Sequence, residues 1–418
     1  MSKRIIRKIT PEDMPAYMEI YLNAYPAGKD LSEECYDKYA ARHAQSMTEF
    51  EHVTYYGLFE DDVMAAVMKL IDFDMNLYGK MRKAVGLMAL GVHPLYKKKG
   101  IARDMVQYFE RYTKESGAAV ALLLPFRMDF YRKMGYGCGT KMDEYHIPTE
   151  YLPANKDVSK LKYMGTSDVD KVLACHTAFV QKNHGQLCKF EEEIRDMRND
   201  DVVRRIGYFD GDDLKGYAAF TFVNTSDCNY TLNLMDVKEL VYDDAEVLKA
   251  LLGGLRLQAD LAQSVIIRTG EPDFYHLLES AQDVSGNYID FGFLQTNISA
   301  VGTMYKIVDI PGFIDASEHR LFPPVTVSVG FDVYDELEDE MKDFVLTFDG
   351  GRWFYEKDGK VDVRVKCKLS DFSSLLMGSA EFGGLARLGV VEIDKPEKVR
   401  LLDYLLHAEQ KPFTNTDY

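Results

Sequence analysis

The chain has 418 residues, of which 46% are hydrophobic and 28% are charged, and its formal net charge is −17. At about 100–200 residues per domain, this length predicts two to four domains, and the apolar content argues against a wholly disordered chain. An acidic surface repels phosphate backbones and anionic membranes, so we expect neither nucleic acid nor a membrane as a partner. This charge balance favours a small cationic molecule or a basic, lysine-bearing protein segment.

Six scattered cysteines without a CxxC pair are typical of free thiols in a reducing cytoplasm. The neighbours Cys175 and His176 raise the alternative of a metal ligand or a nucleophile, but no second ligand pair accompanies them. The N-terminal segment has no apolar region before Pro11, and no run approaches the roughly 18 apolar residues of a membrane span. We therefore expect a cytoplasmic protein without a secretion signal or a metal.

Residues 1–150 have the pattern of a mixed α/β domain. Residues 4–9 predict a short strand, and Thr10 before Pro11 predicts a helix start. Alternating apolar residues on both sides of an EDD turn predict a hairpin. The remaining elements are a buried strand in AVGLMALGVHP, a helix in IARDMVQYFERYTKE, a second buried strand in AAVALLLP, a short helix in FYRKMGYG and a last strand that leads to Pro148.

Residues 151–300 repeat this plan, and we interpret them as a second copy of the same fold. A helix, a hairpin with a GDD turn, the strand TLNLMDVKELVY, a helix and the strand SVIIRTG follow one another in the same order. Residues 301–418 differ because several strands are separated by the turns DGG and DG. Ser370 predicts a helix cap, Pro396 predicts the start of a last helix, and a polar tail ends the chain.

Three consecutive lysines, residues 97–99, stand between the predicted strand at residues 85–92 and a helix that opens near Gly100. The first free N–H groups of a helix point outward and bind phosphate. Glycine at Gly100 and alanine at Ala102 allow a pyrophosphate to approach the backbone closely. From this spacing alone, a surface turn with solvated lysines stays an open alternative.

The pattern Val92-x-Pro94-x-x-Lys97-x-x-Gly100-x-Ala102 resembles motif A of the GNAT acetyltransferases. That family usually has arginine or glutamine at the position of Lys97, and lysine keeps the charge but loses the forked guanidinium. In that family the preceding strand holds the pantetheine arm of acetyl-CoA through backbone groups. The resemblance thus implies acetyl-CoA as co-substrate, no metal, and cofactor contacts at Leu90, Gly91, Val92, Lys97, Lys98, Lys99, Gly100, Ile101, Ala102, Arg103 and Phe126.

The second copy departs from this pattern at the same turn. Asp243 and Asp244 replace the lysines, and the glycine is missing. Because carboxylates repel a pyrophosphate, we expect the second domain to have a structural role or to form a wall of the substrate cleft.

Two tandem GNAT-like domains followed by a smaller α+β domain resemble the enhanced intracellular survival (Eis) acetyltransferases, whose third domain is similar to sterol carrier proteins. The resemblance covers essentially the whole chain and rests on motif A, the FYRKMGYG segment and the C-terminal aromatic residue. It implies an α+β or mixed α/β fold with a catalytic domain at residues 1–150, a degenerate GNAT-like domain at 151–300 and a sterol-carrier-like domain at 301–418. It also implies a tail that reaches the active site and a homo-oligomer, specifically a hexamer.

The same resemblance implies the catalytic residues. Tyr131 matches the family's general acid, and a phenol with a pKa of about 10 can donate a proton to a departing thiolate. A core aromatic is the alternative for Tyr131, and Tyr136 is expected to be structural. The family's base is the α-carboxylate of the last residue, here Tyr418, whereas a polar tail by itself favours a frayed end.

Acidic residues in the first two helices and the tail suit a polycationic amine, although each is also typical of a solvated surface charge. The predicted acceptor-binding residues are Asp30, Glu33, Glu34 and Asp417, with Tyr25 and Tyr36 as walls. The leading hypothesis is direct acetyl transfer from acetyl-CoA to the primary amine of an aminoglycoside-like polyamine or a lysine side chain. A non-enzymatic lipid or hydrophobe binder and an acetyl-CoA sensor are the alternatives.

Overall fold

The computed structural model describes residues 3–27, 29–155, 157–286, 289, 292–416 and 418. Contacts divide the chain into two compact units. The first unit consists of Met1–Gly139, His184–Glu192 and Thr303–Tyr418, and the second of Thr140–Asn183 and Glu193–Gly302. The first unit therefore takes up sequence from both ends of the chain and a short segment from its middle. The three-domain boundaries at residues 150 and 300 stay a prediction.

The described residues form nineteen strands and eleven α-helices. In chain order the strands are β1 (Arg4–Lys8), β2 (Val53–Glu60), β3 (Val63–Leu77), β4 (Lys80–Val92), β5 (Val120–Leu123), β6 (Gly137–Cys138), β7 (Lys141–Pro148), β8 (Leu161–Met164), β9 (Arg204–Asp210), β10 (Asp213–Asn224), β11 (Asn233–Tyr242), β12 (Ser264–Thr269), β13 (Ile298–Val301), β14 (Met304–Ile307), β15 (Val327–Asp335), β16 (Glu340–Asp349), β17 (Arg352–Glu356), β18 (Val363–Lys368) and β19 (Glu392–Ile393). The helices are α1 (Met14–Ala24), α2 (Glu33–Glu49), α3 (Ile101–Glu115), α4 (Met128–Arg132), α5 (Val169–Val180), α6 (Glu191–Asn199), α7 (Ala245–Arg256), α8 (Ile310–Ala316), α9 (Leu369–Leu376), α10 (Phe382–Arg387) and α11 (Val399–Leu406).

The first sheet lies in the first unit and has the order β1-β2-β3-β4-β5-β14-β6. Strands β1 to β4 are antiparallel to their neighbours, whereas β4 and β5 are parallel. The EDD turn closes the predicted hairpin, because Asp61 and Asp62 adopt the positive φ angles, 50° and 68°, that a tight turn requires. The predicted helix start is confirmed as a 3-10 turn, Pro11–Asp13, that leads into α1. Helix α1 packs on β3 and β4, and α3 packs on β3, β4 and β5.

The strand that leads to Pro148 does not close the first sheet. β7 instead pairs antiparallel with β12 and β13 in the second sheet. Its place in the first sheet is taken by β14, which lies between β5 and β6 although it comes from residues beyond 300. The alternation of apolar residues identifies a strand but does not identify its partner.

The second unit contains the second sheet, in the order β13-β7-β12-β11-β10-β9-β8. Strands β8 to β11 are antiparallel, and β11 is parallel to β12, which repeats the arrangement of β1 to β5. Helix α7 follows β11 as α3 follows β4. The predicted second copy of the fold is therefore confirmed.

The third sheet belongs to the first unit and has the order β17-β16-β15-β18-β19. The DGG turn joins β16 to β17 as predicted, but the DG turn does not make a hairpin, because β18 pairs parallel with β15. Ser370 is not a cap: Lys368 has the extended backbone of the N-cap, and Ser370 lies buried inside α9. Pro396 opens a 3-10 turn before α11, as predicted.

One continuous buried apolar cluster runs through the first unit, from α1 and β2–β4 to the third sheet and α9. The second unit has buried clusters of its own around β10–β12 and α7. Among the described residues, none of the helices is both long enough and apolar enough to cross a bilayer.

Candidate active site

Strands β4 and β5 separate part of the way along the first sheet. Residues 84–87 of β4 pair with β5, and β4 then continues to Val92 while β5 ends at Leu123. In the part of β4 that extends beyond β5, Ala89 has φ 53°. The register of β4 against β3 shifts there, between the pairs Lys69–Met88 and Val67–Gly91. This bulge bends β4 away from β5. The backbone of residues 88–92, which includes the predicted Leu90, Gly91 and Val92, is thereby left without a β5 partner.

Close packing explains the glycine in this strand. A Cβ atom at Gly91 would lie 3.0 Å from Cβ of Ala24 and 3.3 Å from Cγ2 of Ile20, both on α1. Helix α1 therefore approaches the bent part of β4 closely, and its last turn borders the gap between β4 and β5.

The start of α3 is open and leaves main-chain N–H groups without an acceptor. Gly100 caps the helix with φ 81°, and a Cβ atom there would have no atom within 4 Å. The first helical bond joins the Asp104 N–H to the Gly100 carbonyl, at 3.1 Å. The N–H groups of residues 101–103 therefore have no acceptor within the helix and are available to a phosphate.

The lysines around this helix start differ in their contacts. Lys97 and Lys98 are exposed, and neither makes an ion pair with a described residue. Lys99 lies 4.0 Å from a Glu60 carboxylate oxygen and over the ring of Tyr96, at 4.6 Å. The guanidinium of Arg103 donates to the Leu337 carbonyl, so that only its main-chain N–H faces the helix start.

Tyr131 lies in α4 with 3% of its surface exposed. Its ring packs edge-on against Phe126, Phe130 and Tyr136, with centroids 5.1–6.0 Å apart. Burial raises the pKa of Tyr131 to about 12, so the phenol keeps its proton at neutral pH. Phe126, in contrast, is 71% exposed and offers an apolar face beside this tyrosine.

Tyr25 contacts the bent part of β4 through its hydroxyl. Its hydroxyl donates to the Leu90 carbonyl at 3.0 Å. Burial is the main cause that raises the pKa of Tyr25, so this phenol also keeps its proton at neutral pH. The sequence suggested Tyr25 only as a wall of an acceptor site, because its contact with β4 depends on how α1 packs.

The C-terminal residue lies on the same sheet. Tyr418 is 6% exposed, and its ring packs on Phe73 of β3 with centroids 5.1 Å apart. A Cβ atom at Gly86 of β4 would lie 3.3 Å from the Tyr418 ring. The tyrosine therefore lies over β3 and β4 rather than in solvent. The predicted acceptor residue Asp417 lies outside the described residues.

A segment from the middle of the chain holds the tail in place. Residues 184–188 run along the end of β3, where the Asn76 N–H donates to the Gln186 carbonyl at 2.9 Å. On the other side, the Asn415 N–H donates to the Gln186 side chain at 3.1 Å, and the Thr416 hydroxyl donates to the Leu187 carbonyl at 3.0 Å. Sequence reasoning missed this segment, because it placed residues 184–192 in the second copy of the fold.

The predicted acceptor carboxylates have local roles in the first unit. Asp30 is exposed and accepts from the Ser32 N–H and hydroxyl, which lowers the pKa of Asp30. Glu33 and Glu34 are exposed in the first turn of α2, where negative charge favours the helix. Tyr36 is half-buried and packs against the apolar cluster. The described contacts of Asp30 belong to the turn that carries it, and those of Tyr36 belong to the core.

The corresponding helix start in the second unit carries its own anion. The Asp244 carboxylate accepts from the N–H groups of Glu246 and Val247, at 2.8 and 3.0 Å. This carboxylate occupies the position at which a phosphate binds a helix start.

The described part of the chain contains no group of three His, Cys, Asp or Glu residues arranged to hold a metal ion. Cys175, one of the residues that the sequence raised as a nucleophile, is buried, and burial raises its thiol pKa to about 12. A thiol that stays protonated is a poor nucleophile.

Comparisons with known proteins agree with this geometry. Residues 5–139 match the acetyltransferase (GNAT) domain family, and residues 314–415 match the sterol carrier protein domain family. No curated protein sequence matches this chain. The GNAT fold binds acyl-CoA, and the bent strand and the open start of α3 fit such a ligand.

Three solved structures are similar over 100% of both chains. They are a probable N-acyltransferase from Enterococcus faecalis (17% identity, TM-score 0.76), a GCN5-related N-acetyltransferase from Anabaena variabilis (17%, 0.79) and Eis1 from Mycobacterium abscessus (18%, 0.77). At these identities the likeness shows the fold, and it confirms tandem GNAT-like domains followed by a sterol-carrier-like domain.

Proposed function

We propose that this chain, whose residues 5–139 match the GNAT acetyltransferase domain family and whose residues 314–415 match the sterol carrier protein domain family, transfers acetyl from acetyl-CoA directly to a primary amine of a polycationic acceptor. An aminoglycoside-like polyamine or a lysine side chain is the acceptor class. The net charge of −17 supports a cationic acceptor, because it attracts cations over long distances.

The gap between β4 and β5 supports acetyl-CoA as the acyl donor. The N–H groups of residues 101–103, with Lys97 and Lys98 beside them, would hold the pyrophosphate. The backbone of residues 90–92, which has no β5 partner, would hold the amides of the pantetheine arm, and the Leu90 carbonyl also accepts from the Tyr25 hydroxyl. When bound, acetyl-CoA supplies an activated thioester.

The gap between β4 and β5, with Tyr131 in the helix that follows β5, is the observation that carries the proposal. Tyr131 is a buried phenol that keeps its proton, and it lies in the segment directly after the strand that lines the gap opposite β4. In the transfer, the amine nitrogen bonds to the acetyl carbon, the carbon–sulfur bond breaks, and Tyr131 donates its proton to the sulfur. The α-carboxylate of Tyr418 takes a proton from the amine. The Tyr418 ring packs on Phe73 and Gly86, and this packing supports the role because it holds the residue on the sheet.

The packing of the third sheet favours this function over a lipid carrier. Phe331, Phe344 and Phe372 pack against one another with ring centroids 5.2–5.7 Å apart. These rings join the sheet to α9, so this packing supports a structural role for the domain.

The experiment measures CoA release from acetyl-CoA with a panel of polyamines, aminoglycosides and lysine peptides. We expect Tyr131→Phe to lower kcat by about 100-fold or more, because a general acid contributes roughly 10²–10⁴. Tyr136→Phe is the matched control, because it removes a phenol hydroxyl that is fully buried in the same ring cluster. Equal kcat values for the two variants would remove Tyr131 from the chemistry. CoA binding by calorimetry without any turnover would indicate a sensor.

We also propose a homo-hexamer in the cytoplasm. All six cysteines are free thiols, which supports a reducing compartment. Sedimentation velocity tests the assembly, and a single monomeric boundary at micromolar concentration would contradict it.

A further inference from the structure

Lys29 lies inside a cage of three tyrosines. Its Nζ is 5.1 Å from the ring centroid of Tyr21, 5.3 Å from that of Tyr39 and 6.0 Å from that of Tyr25. It also donates to the Tyr25 carbonyl at 3.3 Å. Within the described residues no carboxylate forms an ion pair with this ammonium, so the ring faces are its main electrostatic partners. We call Tyr21, Tyr25 and Tyr39 the tyrosine cage.

Two rings of the tyrosine cage, Tyr21 and Tyr39, are half-buried and pack against the apolar cluster of the first unit. Tyr21 stacks on the fully buried Tyr17, with centroids 5.8 Å apart, and packs edge-on against His43 at 4.6 Å. Tyr39 comes from α2 and lies 6.0 Å from Tyr21. Lys29 stands on the half-exposed turn between α1 and α2, where its N–H donates to the Pro26 carbonyl at 3.2 Å. Packing against other residues of the first unit therefore holds Tyr21 and Tyr39 in place without Lys29.

The tyrosine cage shares a wall with the proposed active site. The same Tyr25 whose ring faces Lys29 donates its hydroxyl to the Leu90 carbonyl, in the part of β4 that has no β5 partner. Tyr25 therefore contacts both a cation in the cage and the strand beside which we propose that the acetyl group is transferred.

We propose that the tyrosine cage is a binding subsite for an alkylammonium group of the acceptor, and that Lys29 fills the subsite until the acceptor displaces it. This inference rests on the proposed function for the neighbouring chemistry. It narrows the acceptor to an amine that carries a second cationic ammonium group a few bonds from the reacting nitrogen.

The first experiment compares KM for 1,4-diaminobutane and for butylamine. In Lys29→Met the internal cation is gone, and we expect KM for the diamine to fall about fivefold, with KM for butylamine unchanged. In Tyr39→Leu, which removes one ring face, we expect KM for the diamine to rise by about the same factor, whereas Tyr39→Phe keeps the face and the wild-type value. The charge-matched control is Lys249→Met, on the exposed side of α7.

A binding measurement separates this inference from the proposed function. Tetramethylammonium, titrated by calorimetry without acetyl-CoA, should bind Lys29→Met about fivefold more tightly than wild type and Tyr39→Leu more weakly. Such binding without acetyl transfer to any amine would keep the subsite and overturn the proposed function. Equal KM and equal tetramethylammonium affinity in Lys29→Met and Lys249→Met would overturn the subsite, whether or not transfer occurs. If Lys29→Met does not fold, the test rests on the two Tyr39 variants. Equal KM for the diamine in Tyr39→Leu and Tyr39→Phe would overturn the subsite.

Discussion

Replacing Gly185 by alanine should dislodge the C-terminal tail while leaving the rest of the fold in place. Gly185 has φ 82°, and a Cβ atom there would lie 2.6 Å from Cα of Pro412 and 2.7 Å from the Phe413 nitrogen. Carbon atoms in contact prefer about 3.5–4.0 Å, so the tail backbone has to move away by about 1 Å. The left-handed backbone adds a cost of about 1–2 kcal/mol for a residue with a side chain.

The displaced backbone carries the end of the chain with it. The bonds from Asn415 to Gln186 and from Thr416 to Leu187, both near 3 Å, follow directly after the point of collision. If the α-carboxylate of Tyr418 accepts the amine proton, its displacement should lower kcat/KM by about 100-fold, within the usual contribution of a general base. Acetyl-CoA affinity should stay unchanged, because the start of α3 is not involved.

Gly117→Ala is the control, because Gly117 has φ 79° and no atom within 4 Å of its Cβ position. Both variants carry the same backbone strain, and only one collides with the tail. Steady-state acetyl transfer and thermal unfolding are measured for both. Equal kcat/KM in Gly185→Ala and Gly117→Ala would refute the role of the tail.

Three other substitutions test separate parts of the molecule. Burial raises the pKa of Glu110, beside Lys306, from 4.5 to about 7. Between these two pH values the native state binds more protons than the unfolded chain, so the stability of the wild type should fall as pH rises from 4.5 to 7. Thermal unfolding should show no such fall in Glu110→Gln. Lys69 and Glu192 form a buried ion pair at 2.5 Å, and Lys69→Met should cost about 3–5 kcal/mol in urea unfolding because it leaves a buried carboxylate without its cation. Lys97→Glu should raise KM for acetyl-CoA about tenfold at low salt and less at high salt, because charge at an exposed helix start is screened.

Each of these tests has a clear contrary result. If stability falls with rising pH as steeply in Glu110→Gln as in wild type, the titrating group is not Glu110. A loss below about 1 kcal/mol in Lys69→Met would mean that water reaches Glu192 and replaces the ammonium. A rise in KM for Lys97→Glu that does not depend on salt would indicate a steric effect rather than a charge.

Local pattern predicted the cofactor strand and its turn well. The EDD hairpin, the buried strand before residue 93 and the helix after Gly100 follow from hydrophobic periodicity and from glycine's tolerance of positive φ, and all three are present. These features depend on neighbours in sequence, which is why sequence reasoning could find them.

Long-range pairing was beyond that reasoning. β7 joins the second sheet, β14 enters the first, and residues 184–192 join the first unit, because an alternating pattern does not encode the partner of a strand. Ser370 was assigned as a cap because serine favours that position, but the extended backbone occurs at Lys368.

Side-chain roles near α1 and α2 were equally hard to predict. The spacing of Tyr21 and Tyr25 places them on one helix face, but the contribution of Tyr39 and the position of Lys29 depend on how α2 packs. Asp30 carries a carboxylate, as a cation ligand does, but its contacts with Ser32 are those of a turn.

The measurement that most directly tests the central claim is the stoichiometry of a single reaction. Purified protein is incubated with acetyl-CoA and a diamine, free CoA is determined as thiol, and the N-acetylated amine is determined by mass spectrometry. The account predicts one acetylated amine for each CoA released, with both products reduced together in Tyr131→Phe. CoA released without acetylated amine, or neither product at saturating acetyl-CoA, would contradict it.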